Sequence, residues 1–235
     1  MSLRFQDKNI LVVGASTGIG HEIAKTIIEQ GGKVYVAGRN KPDLDVEFFA
    51  WDALNPDETV FKSLPAELHG LIYCPGTINL KPFSRLSLDD FTNDWKINTL
   101  GAVAAVQPNI NRLKKAGGAG VVFFSSVAAN TGLSFHASIS TAKGGIQGLA
   151  IALAAELAPA KIRFNVVAPS LTDTPMAGNL LSSEDKKEAS AKRHPLGRVG
   201  TTADIAAAAT YLASDEASWV TGQVFGVDGG IGKLK

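Results

Sequence analysis

Short apolar runs alternate with longer runs of helical period along the whole of this chain. The strand-like runs are "NILVVG" (9–14), "KVYVAG" (33–38), "EFFAW" (47–51), "GLIYC" (70–74), "GVVFFS" (120–125), "RFNVVA" (163–168) and "QVFGVD" (223–228). All are short and apolar, as strands covered on both faces should be. Between them, 19–30, 88–114, 139–158 and 202–213 read as helices. In the third, Ala142, Ile146, Leu149, Leu153 and Leu157 recur every three or four residues and form one apolar stripe. Strand, helix, strand in repetition predicts an α/β fold of the Rossmann type. The expectation is one domain over 1–235, a doubly wound parallel sheet of about seven strands with helices on both faces. "KKAGGAG" (114–120) reads as an ordinary helix-to-strand loop. One connection departs from the pattern: Pro42 and the strand 47–51 leave no room between Arg39 and Asp52 for a crossover helix of about ten residues. A bare loop is expected there, thinning the cover on that edge of the sheet.

Composition narrows the class of partner. With 45% hydrophobic residues, 24 glycines and 7% aromatics, the 235 residues can bury a large core of small and aliphatic side chains. Lys and Arg number 23 against 22 Asp and Glu, so a net charge near +1 provides no electrostatic footprint for nucleic acid or an anionic membrane. A small-molecule site fits better. The single Cys74 excludes an internal disulfide framework and leaves too few soft ligands for a zinc cluster; no metal is expected, and a reducing compartment is. "MSLRFQDKN" is polar and runs straight into the first strand, and no apolar run reaches the roughly 18 residues of a membrane span. The expected location is cytoplasmic.

Candidate chemistry begins in "VVGASTGIGHEIA". Gly14, Gly18 and Gly20, with Ser16, Thr17 and Ile19 between them, follow a strand and open a helix. That arrangement presents backbone N–H groups and the positive helix end to a pyrophosphate, so the segment predicts a dinucleotide. At the end of the second strand an NAD site wants a carboxylate for the ribose 2′-OH, and a 2′-phosphate wants a cation. Here Gly38 is followed by Arg39, whose guanidinium can pair with phosphate oxygens in a fork. NADP(H) is favoured over NAD(H); the alternative is that Arg39 is a solvated loop residue.

Together these motifs resemble the short-chain dehydrogenase/reductase family over essentially the whole chain. "GASTGIG" is similar to its cofactor loop, "WDALNP", with Asp52 and Ala53, to its adenine-contacting segment, and Asn98 in "WKINTLG" to its helix asparagine. "NVVAPSLTDTPM", with Pro169, Thr172 and Thr174, resembles the stretch that holds the nicotinamide, and residues 194–230 resemble the C-terminal signature. The resemblance implies a site in which a Tyr hydroxyl exchanges the proton and a Ser orients the carbonyl. A Lys binds the ribose and lowers the Tyr pKa, and an Asn holds a water.

Ser126 and Lys143 fall at the two ends of that spacing. Thirteen residues after Ser126 and four before Lys143 stands Ile139, which cannot exchange a proton. His136, three residues earlier, is a substitute only if the helix extends back to it, and otherwise a polar loop histidine. Ser138 is expected to cap the helix N-terminus. In "LIYCPG", where the family has two Asn, Ala and Gly, only Gly76 is retained. Tyr73 reads as a packing residue and Cys74 as a small hydrophobe with no adjacent basic group. Ser170 replaces a Gly that commonly follows Pro169.

Two functions stay open. One is an NADP(H)-dependent oxidoreductase of atypical site acting on a small carbonyl or alcohol. The other is a catalytically impaired cofactor-binding protein serving as sensor, regulator or oligomer partner. The resemblance also implies a homo-oligomer, tetramer or dimer, through the helices at 92–114 and 139–158. The polar segment 176–197 is expected to form a mobile flap that sets specificity.

Overall fold

The computed structural model describes residues 3–234. The apolar runs form β1 (Asn9–Val13), β2 (Lys33–Gly38), β3 (Glu47–Ala50), β4 (Gly70–Tyr73), β5 (Ala119–Phe124), β6 (Ile162–Pro169) and β7 (Val224–Val227). They pair in parallel throughout, in the order β3-β2-β1-β4-β5-β6-β7. The chain runs to one edge through β2 and β3, then returns beside β1. That reversal between β1 and β4 opens a crevice beyond the carboxyl ends of the strands, where ligands of such sheets bind.

Successive strand residues face opposite sides, and each side has its own helices. Leu11, Val13 and Tyr73 pack under α5 (Ala137–Leu157), through Ile146, Ala150 and Ala154. Ile10, Val12 and Ile72 pack against α1 (Gly18–Glu29) and α7 (Thr202–Ala213). The stripe of α5 differs from the one read in the sequence. Ala142, Ile146, Ala150, Ala154 and Leu157 are buried, and Leu149 and Leu153 lie at its margin. Alanine takes the central line because the helix sits close on the sheet, leaving Leu room only at the flanks.

The loop from Arg39 to Val46 carries no helix, as the spacing requires. The helical run from Leu88 to Lys115 is continuous but not uniform: α2 (Leu88–Trp95), a π segment (Lys96–Leu100), α3 (Gly101–Val106), a 3₁₀ turn (Gln107–Asn109) and α4 (Ile110–Lys115). The segment 176–197 contains a helix of its own, α6 (Glu184–Ala191), capped by Ser183 and flanked by buried Leu181 and His194. Among the described residues, no helix is long and apolar enough to cross a membrane, and no cluster of three potential metal ligands occurs.

Candidate active site

The glycine loop lies where β1 meets α1. Gly14 and Gly18 adopt left-handed φ values of 81° and 61°, which a side chain would strain. A Cβ on Gly20 would overlap the carbonyl of Gly14, so the turn closes only without one. Thr17, in extended conformation, makes no side-chain cap, and the first turn of α1 holds no acidic residue. The positive end of the helix is therefore left for an external anion. Ser16 is half-buried beside it, and Ile19 packs into the core under the loop. Across the crevice Thr174 comes within 3.5 Å of where a Cβ of Gly18 would stand.

At the adenosine end, Arg39 is exposed at the end of β2 and has no ion-pair or hydrogen-bond partner among the described residues. Asp52 Oδ1 accepts from Leu54 N at 3.1 Å, which shapes its own turn. Ala53 is partly buried, packed against Gly101 and the core.

The chemical end gathers three elements around one bare backbone position. Lys143, on α5, is 7% exposed, and its Nζ donates to Phe124 O at 2.8 Å at the end of β5. Asn98 sits in the π segment, its Nδ2 donating to Asp94 O at 2.8 Å and Thr77 Oγ1 at 3.0 Å. Its Oδ1 is buried without a partner among the described residues. A Cβ on Gly76 would lie 3.3 Å from both Asn98 Oδ1 and Lys143 Nζ, so this glycine keeps open the space on which both polar atoms converge. Burial pushes Lys143 down to about 8, partly opposed by neighbouring Cys74 and Asp94.

Ser126 follows β5, its Oγ accepting from Ala128 N at 3.2 Å, so its hydroxyl proton is left for another acceptor. Ile139 is buried on α5, one turn before Lys143. His136 stands just outside α5, which begins at Ala137, and its Nδ1 donates back to Ser134 O at 2.6 Å. Pro169 ends β6, while Thr172 is buried, with its Oγ1 donating to Ser170 O at 3.0 Å. Thr174 caps the turn Pro175–Ala177.

Two readings of single residues are corrected. Ser138 does not cap α5: it lies inside the first turn, buried, and its Oγ donates to Asp94 Oδ2 at 2.5 Å. Cys74 does have a basic neighbour, Lys143, but desolvation outweighs it and pushes the thiol up to about 12. Tyr73 does pack in the core, and its hydroxyl donates to Ile97 O at 2.5 Å.

The sequence reading passed over one cluster altogether. Asp94 is buried without a cation at hydrogen-bond distance among the described residues, its carboxylate accepting from Thr77 Oγ1 at 2.6 Å, from Ser138 Oγ and, at 3.4 Å, from Asn79 Nδ2. Its only trace in the linear chain is that it stands four residues before Asn98, on the same helix face. A second missed pair is His194 and Ser170. The imidazole donates from Nδ1 to Ser190 O at 2.8 Å, and its Nε2 shares a hydrogen bond with Ser170 Oγ at 2.9 Å, which ties the segment after α6 to the end of β6.

Residues 14–232 match the family model described as Enoyl-(Acyl carrier protein) reductase. A tropinone reductase homolog of Arabidopsis thaliana is 31% identical over 96% of this chain and 91% of its own. The L-xylulose reductase of Bos taurus is 30% identical over 98% of each chain. Among solved structures, the ligand-free aldohexose dehydrogenase of Thermoplasma acidophilum is similar with a TM-score of 0.89, 28% identity and coverage of 96% of this chain and 94% of that one. A structure from Agrobacterium tumefaciens with bound NADP, provisionally named a 2-deoxy-D-gluconate 3-dehydrogenase, has a TM-score of 0.90, 27% identity and 98% coverage of both chains.

Proposed function

The chain belongs to the short-chain dehydrogenase/reductase family, and from that premise we propose that it is an NADP(H)-dependent oxidoreductase with an atypical active site, moving hydride between a nicotinamide and a small carbonyl or alcohol. The observation that carries this reading is the convergence of the unpartnered Asn98 Oδ1 and the Lys143 Nζ on the bare Gly76. A buried polar atom left without a partner is costly unless a ligand or water completes it. The residues present therefore fit a nicotinamide nucleotide. Gly14, Gly18 and Gly20 would hold its pyrophosphate, Lys143 its ribose hydroxyls, and Pro169, Thr172 and Thr174 would border the nicotinamide. The cofactor would supply or accept the hydride.

This chain's residues do the remainder. Ser126 donates its free hydroxyl proton to the substrate oxygen, orienting the carbonyl and stabilising negative charge as it develops there. Asn98 Oδ1 accepts from a bound water. Ile139 occupies the position of the family's tyrosine, and its burial keeps that part of the site dry. Preference for the 2′-phosphate form rests on Arg39, exposed and unpaired, with no carboxylate at the end of β2. The NADP in the Agrobacterium relative supports a nicotinamide cofactor without deciding the preference.

Ile139 also favours a second reading, a silent cofactor-binding protein acting as sensor, regulator or oligomer partner. Titration of NADPH and NADH fluorescence, followed by assay of a panel of small aldehydes and ketones with wild type and Ile139→Tyr, separates the two. The expected result is saturable NADPH binding, slow turnover by wild type, and faster turnover by Ile139→Tyr. NADPH binding without wild-type turnover favours the silent protein, and failure to bind either nucleotide removes both. A reducing compartment such as the cytoplasm suits the lone Cys74, and self-association through α2–α4 and α5 suits the apolar Leu88, Trp95, Leu100 and Ile151 left exposed there.

A further inference from the structure

The missing tyrosine leaves the reduction without its usual acid, and the protic groups near the site differ in what they can release. Six hydroxyls in the neighbourhood have committed their protons to protein acceptors: Tyr73 to Ile97 O, Thr77 and Ser138 to Asp94, Thr99 to Ala142 O, Ser125 to Lys143 O and Ser140 to Ala128 O. Ser126 keeps a free proton, but an aliphatic hydroxyl is far too weak an acid to give it up near neutrality. The Cys74 thiol, pushed up to about 12 by burial, is excluded in the same way. Lys143 spends one N–H on Phe124 O at 2.8 Å, and its remaining N–H groups have no acceptor among the described residues. They share the space beside Gly76 with Asn98 Oδ1.

We propose that Lys143 is the proton donor of the reaction, taking over the work of the absent hydroxyl as well as holding the ribose. The inference rests on the oxidoreductase reading above. As hydride adds to the carbonyl carbon, the electron pair of the C=O π bond moves to oxygen. An N–H bond of the Lys143 ammonium breaks and the new O–H bond forms, directly or through one intervening water. The electron pair stays on nitrogen, and the neutral amine takes a proton back from solvent. In alcohol oxidation the neutral amine is the base.

Burial supports this role, because it brings Lys143 down to about 8, near the pH at which a general acid works best. The titratable groups facing it are Cys74 beyond β4 and Asp94 on α2, and the end of β5 presents the Phe124 carbonyl. The competing donor is His136, outside the helix with its Nδ1 proton committed to Ser134 O.

The test measures hydride transfer to the carbonyl panel at saturating NADPH from pH 5 to 10. The reduction rate of wild type should stay level below pH 8 and fall about tenfold per unit above it, with oxidation doing the reverse. Lys143→Arg keeps a cation that does not deprotonate in this range, and should cut the rate by roughly 10²–10⁴ and abolish the limb. His136→Gln should leave the limb in place. A second readout needs no turnover: unfolding of the cofactor-free wild type and Lys143→Met, followed against pH, should locate the Lys143 titration at the same pH as the kinetic limb. A limb that survives Lys143→Arg, moves to the ordinary histidine range near 6.5 or vanishes in His136→Gln overturns the proposal and leaves the oxidoreductase reading intact. Absence of NADPH binding or of any hydride transfer overturns that reading and this inference with it.

Discussion

Lys143 carries its charge where little water reaches it, and its effect on stability has a definite sign. Its folded pKa, about 8, lies below the 10.5 of the exposed side chain. Between those values the unfolded chain binds more protons than the folded one, so this group's contribution to stability rises with pH across the window. Below pH 8 the cost is fully present, and above 10.5 it is gone. Lys143→Met should therefore be more stable than wild type at pH 7 by up to about 3 kcal/mol, an advantage that shrinks from pH 8 to 10.5. Urea denaturation at a series of pH values measures it. Asp94 sets a second residue-scale expectation. Asp94→Ala strands the hydroxyl donors of Thr77 and Ser138, while Asn79 Nδ2 keeps Asp90 Oδ1 at 3.2 Å, and Ser138→Ala removes just one of those donors. An unsatisfied buried polar group costs about 1–3 kcal/mol, so Asp94→Ala should destabilise the fold clearly more than Ser138→Ala in the same denaturation experiment.

At the scale of the element, the run from Leu88 to Lys115 shows how one helix is made to present Asn98. The π segment closes with Gly101 N donating to Lys96 O, one residue longer than the α pattern, and the carbonyl of Ile97 is taken by the Tyr73 hydroxyl instead. Gly101 supplies the room, since a Cβ there would overlap that hydroxyl. Tyr73 thus bears on the site through its grip on the helix. Tyr73→Phe should cost about 1–3 kcal/mol by orphaning a buried carbonyl. Gly101→Ala should cost more, because the side chain and the segment must both shift. If Gly101→Ala were as stable as wild type by thermal unfolding, the π segment would not depend on this contact.

For the whole molecule, the sheet reversal between β1 and β4 brings together chemistry from distant parts of the chain, and the proposed preference for NADP(H) rests on a residue at the sheet's edge. The loop after Arg39 has no helix over it, so the guanidinium is free to reach a 2′-phosphate. Arg39→Ala should weaken NADPH binding roughly tenfold, a loss in the range of one charge-assisted hydrogen bond, and leave NADH binding nearly unchanged. Fluorescence titration of both nucleotides decides it. Self-association is expected as well: sedimentation should give a dimer or tetramer, and charged substitutions at Leu100 and Ile151, both exposed on the helices proposed to pair, should shift it toward the monomer.

Periodicity alone determined the seven strands, the long helices and the bare loop after Arg39, because burial on both faces of a sheet forces continuous apolar runs and helices show their stripe every three or four residues. The resemblance to the family put Ser126, Ile139 and Lys143 in one register, since the family's spacing is a count along the chain. What both left undecided were relations between segments. Ser138 looked like a cap because Ser at a helix start usually is one; docking of α2 placed Asp94, 44 residues away, beside it, and the buried carboxylate took the hydroxyl. Tyr73 was legible as a packing residue, but its partner is 24 residues away on another element. The proton affinity of Lys143 likewise follows from how much water the packed helices exclude. Local sequence encodes which face of an element is apolar, and only the closing of those faces against one another decides which polar groups meet in the dry space between them.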